Sequence, residues 1–199
     1  MKNLLITLSL ILVTLTTFSQ DYYPIEITYK DGTVKIGEAK FLVSLNDKKI
    51  FFKNNGEEEI LSDELKSITY KIDGRIVVFD RLPTYYGLKH NKIGPESWLE
   101  VKVKGFATLY IVKAAVSHMA GGSKTGGVFT DFYCYREGEA AAKLISSVGD
   151  AANNSTFKLF AAKYFSDYPE LSEKIKSKVY KYDQIIEVVE EYNKWKENK

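Results

Sequence analysis

The run PIEITYKDGTVKIGEAKFLVSL, residues 24–45, decides the fold class of this chain. It contains two stretches of alternating apolar and polar residues, joined at Asp31-Gly32. An Asp-Gly pair favours the left-handed backbone angles of a tight hairpin turn. The run therefore predicts two antiparallel strands that bury one face and expose the other.

The same rhythm continues through the first half of the chain. The runs KKIFFK, EEIL, KSITYKI and RIVVFDR follow at close spacing, and a second Asp-Gly pair, Asp73-Gly74, joins the last two. Parallel strands would need long crossover connections, and the sequence shows none. The pattern predicts an antiparallel meander that curls into a β-roll or a small barrel.

The end of the chain changes from a period of two to a helical period. Apolar residues recur at helical spacing from Phe157 to Phe165, and Pro169 suits the first turn of a second helix. A third helix presents an apolar face that ends in Tyr192 and Trp195. We expect these faces to pack on one another and on the sheet. The alternative is that Tyr192 and Trp195 belong to a surface that receives a partner.

Residues 137–154, EGEAAAKLISSVGDAANN, connect the two patterns and fit either a short helix or a last strand followed by a linker. The whole pattern predicts an α+β protein. An antiparallel β-roll or small barrel is expected over residues 21–148. A segment of about three helices, packed on it, is expected over residues 149–199.

The first segment, residues 1–20, has the pattern of a secretory signal peptide. Lys2 supplies a positive charge, an apolar run extends from Leu4 to Phe18, and small and polar residues follow. The apolar run is shorter than the roughly 20 residues of a membrane-spanning helix, and no later stretch of the sequence is long enough. We expect an exported protein, periplasmic, associated with the cell envelope or secreted. A retained N-terminal anchor is the alternative.

Composition excludes several classes of protein. The chain has 28 basic and 26 acidic residues, and this balance argues against a nucleic-acid binder. Its single cysteine, Cys134, cannot form an internal disulfide, and we expect it to be a small buried hydrophobe rather than a free reactive thiol. About 180 residues remain after the leader, enough for a domain with its own core.

The glycine-rich stretch HMAGGSKTGGVF, residues 118–129, raises the question of phosphate binding. A P-loop requires Lys and Ser or Thr after its last glycine, and then a helix. Here Gly127 and Val128 stand at those positions, and a strand pattern follows. We interpret residues 120–127 as a flexible hairpin tip, in which Lys124 is a candidate ligand contact.

The segment LPTYYGLKHNKIGP, residues 82–95, predicts a long irregular loop. It holds two prolines, two glycines, the adjacent Tyr85 and Tyr86, and His90. Long loops often carry function, and paired tyrosines can stack on a sugar or a peptide. The alternative is a connector whose aromatic rings cover one end of the sheet.

Catalytic and metal-binding patterns are weak. Cys134 with His90 or His118 could form a nucleophile and a base, but Cys134 falls in an apolar strand and both histidines fall in predicted loops. A zinc site needs three or four ligands, and these residues show no ligand spacing. We therefore assign no catalytic residue, metal or cofactor. A carboxylate pair that meets only in space stays open.

Several segments together resemble an uncharacterised family of exported proteins from Bacteroidota. They are DGTVKIGEAKF, KKIFFKNN, ILSDELKSITY, VKGFATLY and the closing YFSDYPELSEKIKSKVYKYDQIIEVVEEYN. In that family a similar β-rich module with C-terminal helices stands alone or precedes an outer-membrane β-barrel. The resemblance implies an exported β-rich module and contributes no catalytic residues.

Two functional hypotheses follow. The first is a non-catalytic exported module that binds a protein or another envelope component, and it predicts an exposed aromatic patch near Tyr85 and Tyr86 or along the last helix. The second is a binder of a small ligand such as a glycan, or a hydrolase, built on the β-roll. It predicts a concave pocket where polar groups converge.

Overall fold

The computed structural model describes residues 22–86, 91–120, 123–148 and 153–199, and only the backbone within 114–129 and at 153, 154 and 156. The predicted signal peptide, residues 1–20, and the candidate His90 lie outside the described residues. For His118 and Lys124 the backbone alone is described.

The described chain forms an antiparallel sheet followed by helices, which confirms the predicted α+β class. The strands are β1 Tyr22–Tyr29, β2 Val34–Lys40, β3 Lys49–Lys53, β4 Glu57–Leu61, β5 Leu65–Ile72, β6 Arg75–Tyr86, β7 Lys92–Val103, β8 Ala107–Ala120, β9 Ser123–Arg136 and β10 Lys143–Val148. The α-helices are α1 Asn153–Tyr164, α2 Pro169–Lys176 and α3 Ile185–Glu197. Residues 143–148 thus form a last strand rather than a short helix.

Neighbouring strands of the sheet are mostly neighbours in sequence, as in a meander. The strand order is β10-β9-β8-β7-β6-β5-β1-β2-β3-β4. The predicted turn between β5 and β6 is confirmed, because both Asp73 and Gly74 have positive φ, at 49° and 75°. Such angles match the right-handed twist of the two flanking strands.

The strands β6 to β10 curl until the two ends of this series meet. The Tyr85 N–H donates to the Ala142 carbonyl, and the Ala142 N–H donates to the Pro83 carbonyl, each at 2.9 Å. This bridge between Thr84 and Ala142 is parallel. An odd number of strands that alternate in direction can close only through one parallel pair, so β6–β10 form a small barrel.

The prediction of an irregular loop over residues 82–95 is wrong for the described part of this range, most of which is strand. Strand β6 continues to Tyr86 and β7 begins at Lys92, with a register shift between Pro83 and Tyr85. A proline is tolerated here because its carbonyl and its missing N–H point to the same side of the strand. On that side Pro83 only accepts a hydrogen bond, from Ala142.

The glycine-rich stretch is also more regular than expected. Strand β8 runs to Ala120 and β9 begins at Ser123, so His118 pairs with Thr125 and Lys124 pairs with Met119. Most of the predicted hairpin tip is therefore strand. Residues 121–122, between the two strands, lie outside the described residues. A strand follows the glycines, which agrees with the rejection of a P-loop.

Apolar residues are buried on both faces of the sheet. On one face, the β1–β7 half buries Ile27, Ile68 and Trp98, while the helices cover the β8–β10 end through Leu109 and Cys134. On the other face, the interior of the barrel holds the cluster of Leu99, Tyr110 and Ala142. The core therefore fixes a barrel whose interior is filled and whose mouth remains open to solvent.

Candidate functional site: a groove at the mouth of the barrel

A groove of about 740 Å³ lies at the mouth of the barrel. Its wall includes a row of three residues, because Thr28 of β1 pairs with Ser67 of β5, and Ser67 pairs with Asp80 of β6. The opposite wall comes from the β7–β8 turn, the start of β8 and the end of β9. Barrel mouths are a common place for ligand sites.

The groove contains a carboxylate paired with a buried phenol. Tyr110 is 2% exposed, and its hydroxyl donates to Asp80 Oδ2 at 2.8 Å. Burial, the charge of Asp80 and this hydrogen bond all raise the pKa of Tyr110. The phenol therefore stays protonated and holds the Asp80 carboxylate in place. A carboxylate has about four acceptor positions, so Asp80 can still accept hydrogen bonds from a ligand.

Hydroxyl groups surround this pair. Thr28 and Ser67 line one wall of the groove, and Thr108 and Tyr135 line the other. Each of these side chains is partly exposed. A hydroxyl can both donate and accept a hydrogen bond, so the wall suits a ligand that itself carries several hydroxyl groups.

The rim adds an aromatic ring and balanced charge. Phe106, in the turn before β8, lines the groove and is 54% exposed. Lys66, Lys104 and Glu137 also line it, and within the described part of the chain their side chains form no ion pair. Both kinds of charge are thus free at the rim.

Arg81 borders the groove but has a structural role. Its Nη2 lies 2.5 Å from Asp63 Oδ1, its Nε lies 3.5 Å from Glu96 Oε2, and its guanidinium stacks over Trp98. Glu96 and Trp98 lie on β7 on the face away from Asp80, where Trp98 is part of the core, and Asp63 lies in the turn before β5. Arg81 therefore connects β6 to β7 and to the turn before β5, and we do not assign it to ligand binding.

The candidate tyrosines of β6 lie away from this groove. Tyr85 is partly buried and its N–H forms the bridge that closes the barrel. Tyr86 is exposed beside Gly94, and it lies about 20 Å beyond Asp80 along the strand. Neither tyrosine lines the groove. The backbone of Lys124 lies in β9, where it pairs with Met119 of β8.

The candidate aromatic residues of the last helix are used in packing. Tyr192 is fully buried and its hydroxyl donates to Asp167 Oδ2 at 2.7 Å. Trp195 is partly buried and stacks on Tyr168, with ring centroids 4.5 Å apart and planes inclined by 2°. These contacts attach α3 to the α1–α2 connection.

The described residues offer little for nucleophilic or metal chemistry. Cys134 is buried, as the sequence predicted, and burial raises the pKa of its thiol. Within the described ranges, no group of three or more His, Cys, Asp or Glu side chains could hold a metal ion. The helices described here include none that is both long and apolar enough to span a membrane.

The alternation of β6 contains one signal for half of the groove's central pair. In RIVVFDR, Asp80 shares a strand face with Val78 and, further on, Leu82, so a carboxylate interrupts an apolar face. Its partner Tyr110 lies 30 residues away, and the pairing of both β6 and β8 with β7 brings the two together. Comparisons with protein-family models, with curated proteins and with solved structures found no match for this chain.

Proposed function

We propose that this protein is an exported, non-catalytic module that binds a short carbohydrate of the cell envelope in the groove at the barrel mouth. The observation that carries the proposal is the convergence of the Asp80–Tyr110 pair, a set of hydroxyls and the exposed ring of Phe106 in one concave site. Carbohydrates offer vicinal hydroxyls and an apolar ring face to such a surface.

The dimensions and polarity of the groove support a small ligand. Its volume of about 740 Å³ falls within the roughly 300–1,000 Å³ typical of small-molecule sites. The fixed carboxylate of Asp80 can accept two hydroxyl donors, and Thr28, Ser67 and Thr108 can serve the remaining hydroxyls. The exposed ring of Phe106 supplies apolar contact to one face of a sugar.

Binding is better supported than turnover. Among the described residues, neither histidine nor cysteine lines the groove, and the hydrogen bond from buried Tyr110 suits Asp80 to a fixed acceptor role. Export rests on the signal-peptide pattern and on the family resemblance, both properties of the sequence. Protein docking along the last helix has less support, because Tyr192 and Trp195 are packed.

Titration calorimetry with the mature chain, starting at Asp21, against a panel of neutral and acidic oligosaccharides tests the proposal. We expect at least one to bind, and we expect Asp80→Asn and Phe106→Ser each to weaken its affinity about tenfold. Asp73→Asn and Phe51→Ser are matched controls, since both residues are exposed outside the groove. Absence of binding by every oligosaccharide, or equal weakening by the controls, contradicts the proposal.

A further inference from the structure

A second surface feature, on the opposite face of the sheet, has a different chemistry. Residues 41–46, between β2 and β3, stand between two cavities of about 340 Å³ and 410 Å³. Phe41, Leu42 and Val43 line both cavities. A segment with a hollow on each side projects from its surroundings, and we call residues 41–46 the ridge.

The crest of the ridge is apolar and exposed. Val43 is 86% exposed and Phe41 is 40% exposed. The ring of Phe41 contacts Tyr70 and Phe79 at centroid distances of 5.0 Å and 5.8 Å, so its base is packed while its edge reaches solvent. An apolar side chain held out in water is unfavourable unless another apolar medium receives it.

The ridge is also held rigidly. The Asp47 carboxylate accepts the N–H groups of Val43 and Ser44 at 2.8 Å and 3.0 Å. The backbone N–H of Trp98 donates to the Leu45 carbonyl at 2.8 Å. A flexible loop could turn Val43 back onto the protein, but these bonds fix its position. The ordering that docking usually requires is therefore already present in the free protein.

Free positive charge flanks this crest. Lys48 lines the first cavity and Lys113 lines the second, and within the described part of the chain neither side chain forms an ion pair. The two acids that line these cavities are engaged elsewhere: Asp47 accepts backbone N–H groups, and Glu100 pairs with Lys102. Lys40, next to the crest, lies over the ring of Phe51. An apolar crest is thus combined with unpaired lysines.

We propose that the ridge docks on a membrane surface that contains anionic lipids. Val43 and Phe41 enter the boundary between headgroups and acyl chains, and Lys48 and Lys113 approach the lipid phosphates. A convex apolar crest needs a matching pocket if the partner is a protein, whereas a bilayer receives it without one. The unpaired lysines select an anionic surface.

Docking through the ridge leaves the carbohydrate groove accessible. Phe79 lines the cavity beside the ridge, and its neighbour Asp80 lines the groove. Successive residues of a strand point to opposite faces of the sheet. The two surfaces therefore lie on opposite sides of β6, and a molecule resting on the membrane presents the groove away from it.

Sedimentation with lipid vesicles tests the proposal, with the mature chain from Asp21 and vesicles of phosphatidylcholine with or without phosphatidylglycerol. We expect binding only to the anionic vesicles, and Val43→Asp to weaken it about tenfold. Lys48→Gln and Lys113→Gln should each weaken it about fivefold. Higher salt should reduce binding by the wild-type chain.

The matched controls are Val179→Asp and Lys181→Gln, which alter an exposed valine and an exposed lysine of the helical segment. Both should bind as the wild type does, and circular dichroism should show the same fold for all variants. Binding of Val43→Asp at wild-type strength overturns the proposal, as does failure of the wild type to bind anionic vesicles. Equal binding to neutral vesicles overturns the role of the lysines.

Discussion

At the scale of single residues, one buried side-chain amide connects α3 to the start of β8. Buried Asn193 of α3 accepts the Ala107 N–H at 2.8 Å and donates to the Ala107 carbonyl at 3.0 Å. Gly105 allows this approach, because a Cβ at that position would lie 2.3 Å from Asn193 Nδ2. The amide satisfies both backbone groups of a residue at the start of β8.

We expect Asn193→Leu to destabilise the protein by about 2–4 kcal/mol, because it leaves a buried N–H and a buried carbonyl without partners. Urea unfolding followed by circular dichroism gives the free energy of unfolding. The control is Asn198→Leu, since Asn198 is exposed and bonds only within its own helix end. Similar losses of unfolding free energy in the two variants would show that the hydrogen bonds between Asn193 and Ala107 contribute little to stability.

Single residues also mark the limit of prediction from sequence. Alternation along RIVVFDR places Asp80 on one face of a strand, but it does not show what lies opposite. The sequence left two roles open for Tyr192, packing or a surface that receives a partner, and Tyr192 is buried because α3 packs against the α1–α2 connection. Val43 gave no signal, because it falls in the alternating run of residues 24–45, where a valine fits a predicted strand.

At the scale of elements, the sequence predicts well whether a segment is a strand or a helix, but it predicts poorly where that segment ends. Periodicity depends on neighbouring residues, so the early strands and the three helices follow from it. The end of β6 does not, because Pro83 and Tyr85 pair with β7 across a register shift and also bond to distant Ala142. A partner more than fifty positions away leaves no local pattern.

The helices are linked by carboxylates whose pKa values are lowered. For Asp167, burial raises the pKa, but hydrogen bonds from Lys196 and Tyr192 and the charge of Arg136 outweigh it. For Glu191, burial is likewise outweighed by hydrogen bonds from Lys174 and Tyr180. The ionised form of each group is therefore favoured in the folded state.

Acid should consequently weaken the helical segment. A carboxylate with a lowered folded-state pKa stabilises the fold above its unfolded value, here 3.8 for Asp167 and 4.5 for Glu191. That stability is lost as pH falls through the folded-state values. We expect the free energy of unfolding to decrease between about pH 5 and pH 3, measured by urea unfolding across that range.

Neutral variants identify the groups responsible for this pH dependence. Asp167→Asn and Glu191→Gln should lower stability at neutral pH and flatten its decrease in acid, since the titrating group is gone. Glu190→Gln, at an exposed position of α3, is the control and should keep the wild-type profile. A wild-type profile in Asp167→Asn would assign the acid sensitivity elsewhere.

At the scale of the whole molecule, the groove lies at the mouth of a barrel that one bridge closes, between Thr84 and Ala142. Within this barrel Tyr110 of β8 reaches Asp80 of β6 across β7. A β-roll or small barrel could be predicted from the number of short strands. The closing pair could not, because the parallel contact of Ala142 with β6 involves a residue outside the strands.

Removing the backbone N–H of Ala142 tests the closure of the barrel directly. We expect Ala142→Pro to destabilise the protein by about 3 kcal/mol, because it removes the N–H that bonds to Pro83 and adds a ring in a buried position. Ala142→Gly keeps the N–H and should cost about 1 kcal/mol. Hydrogen exchange of the Tyr85 amide should accelerate in the proline variant far more than in the glycine variant. Equal exchange in both would mean that the barrel is held by its interior packing, with the bridge a consequence of closure rather than its cause.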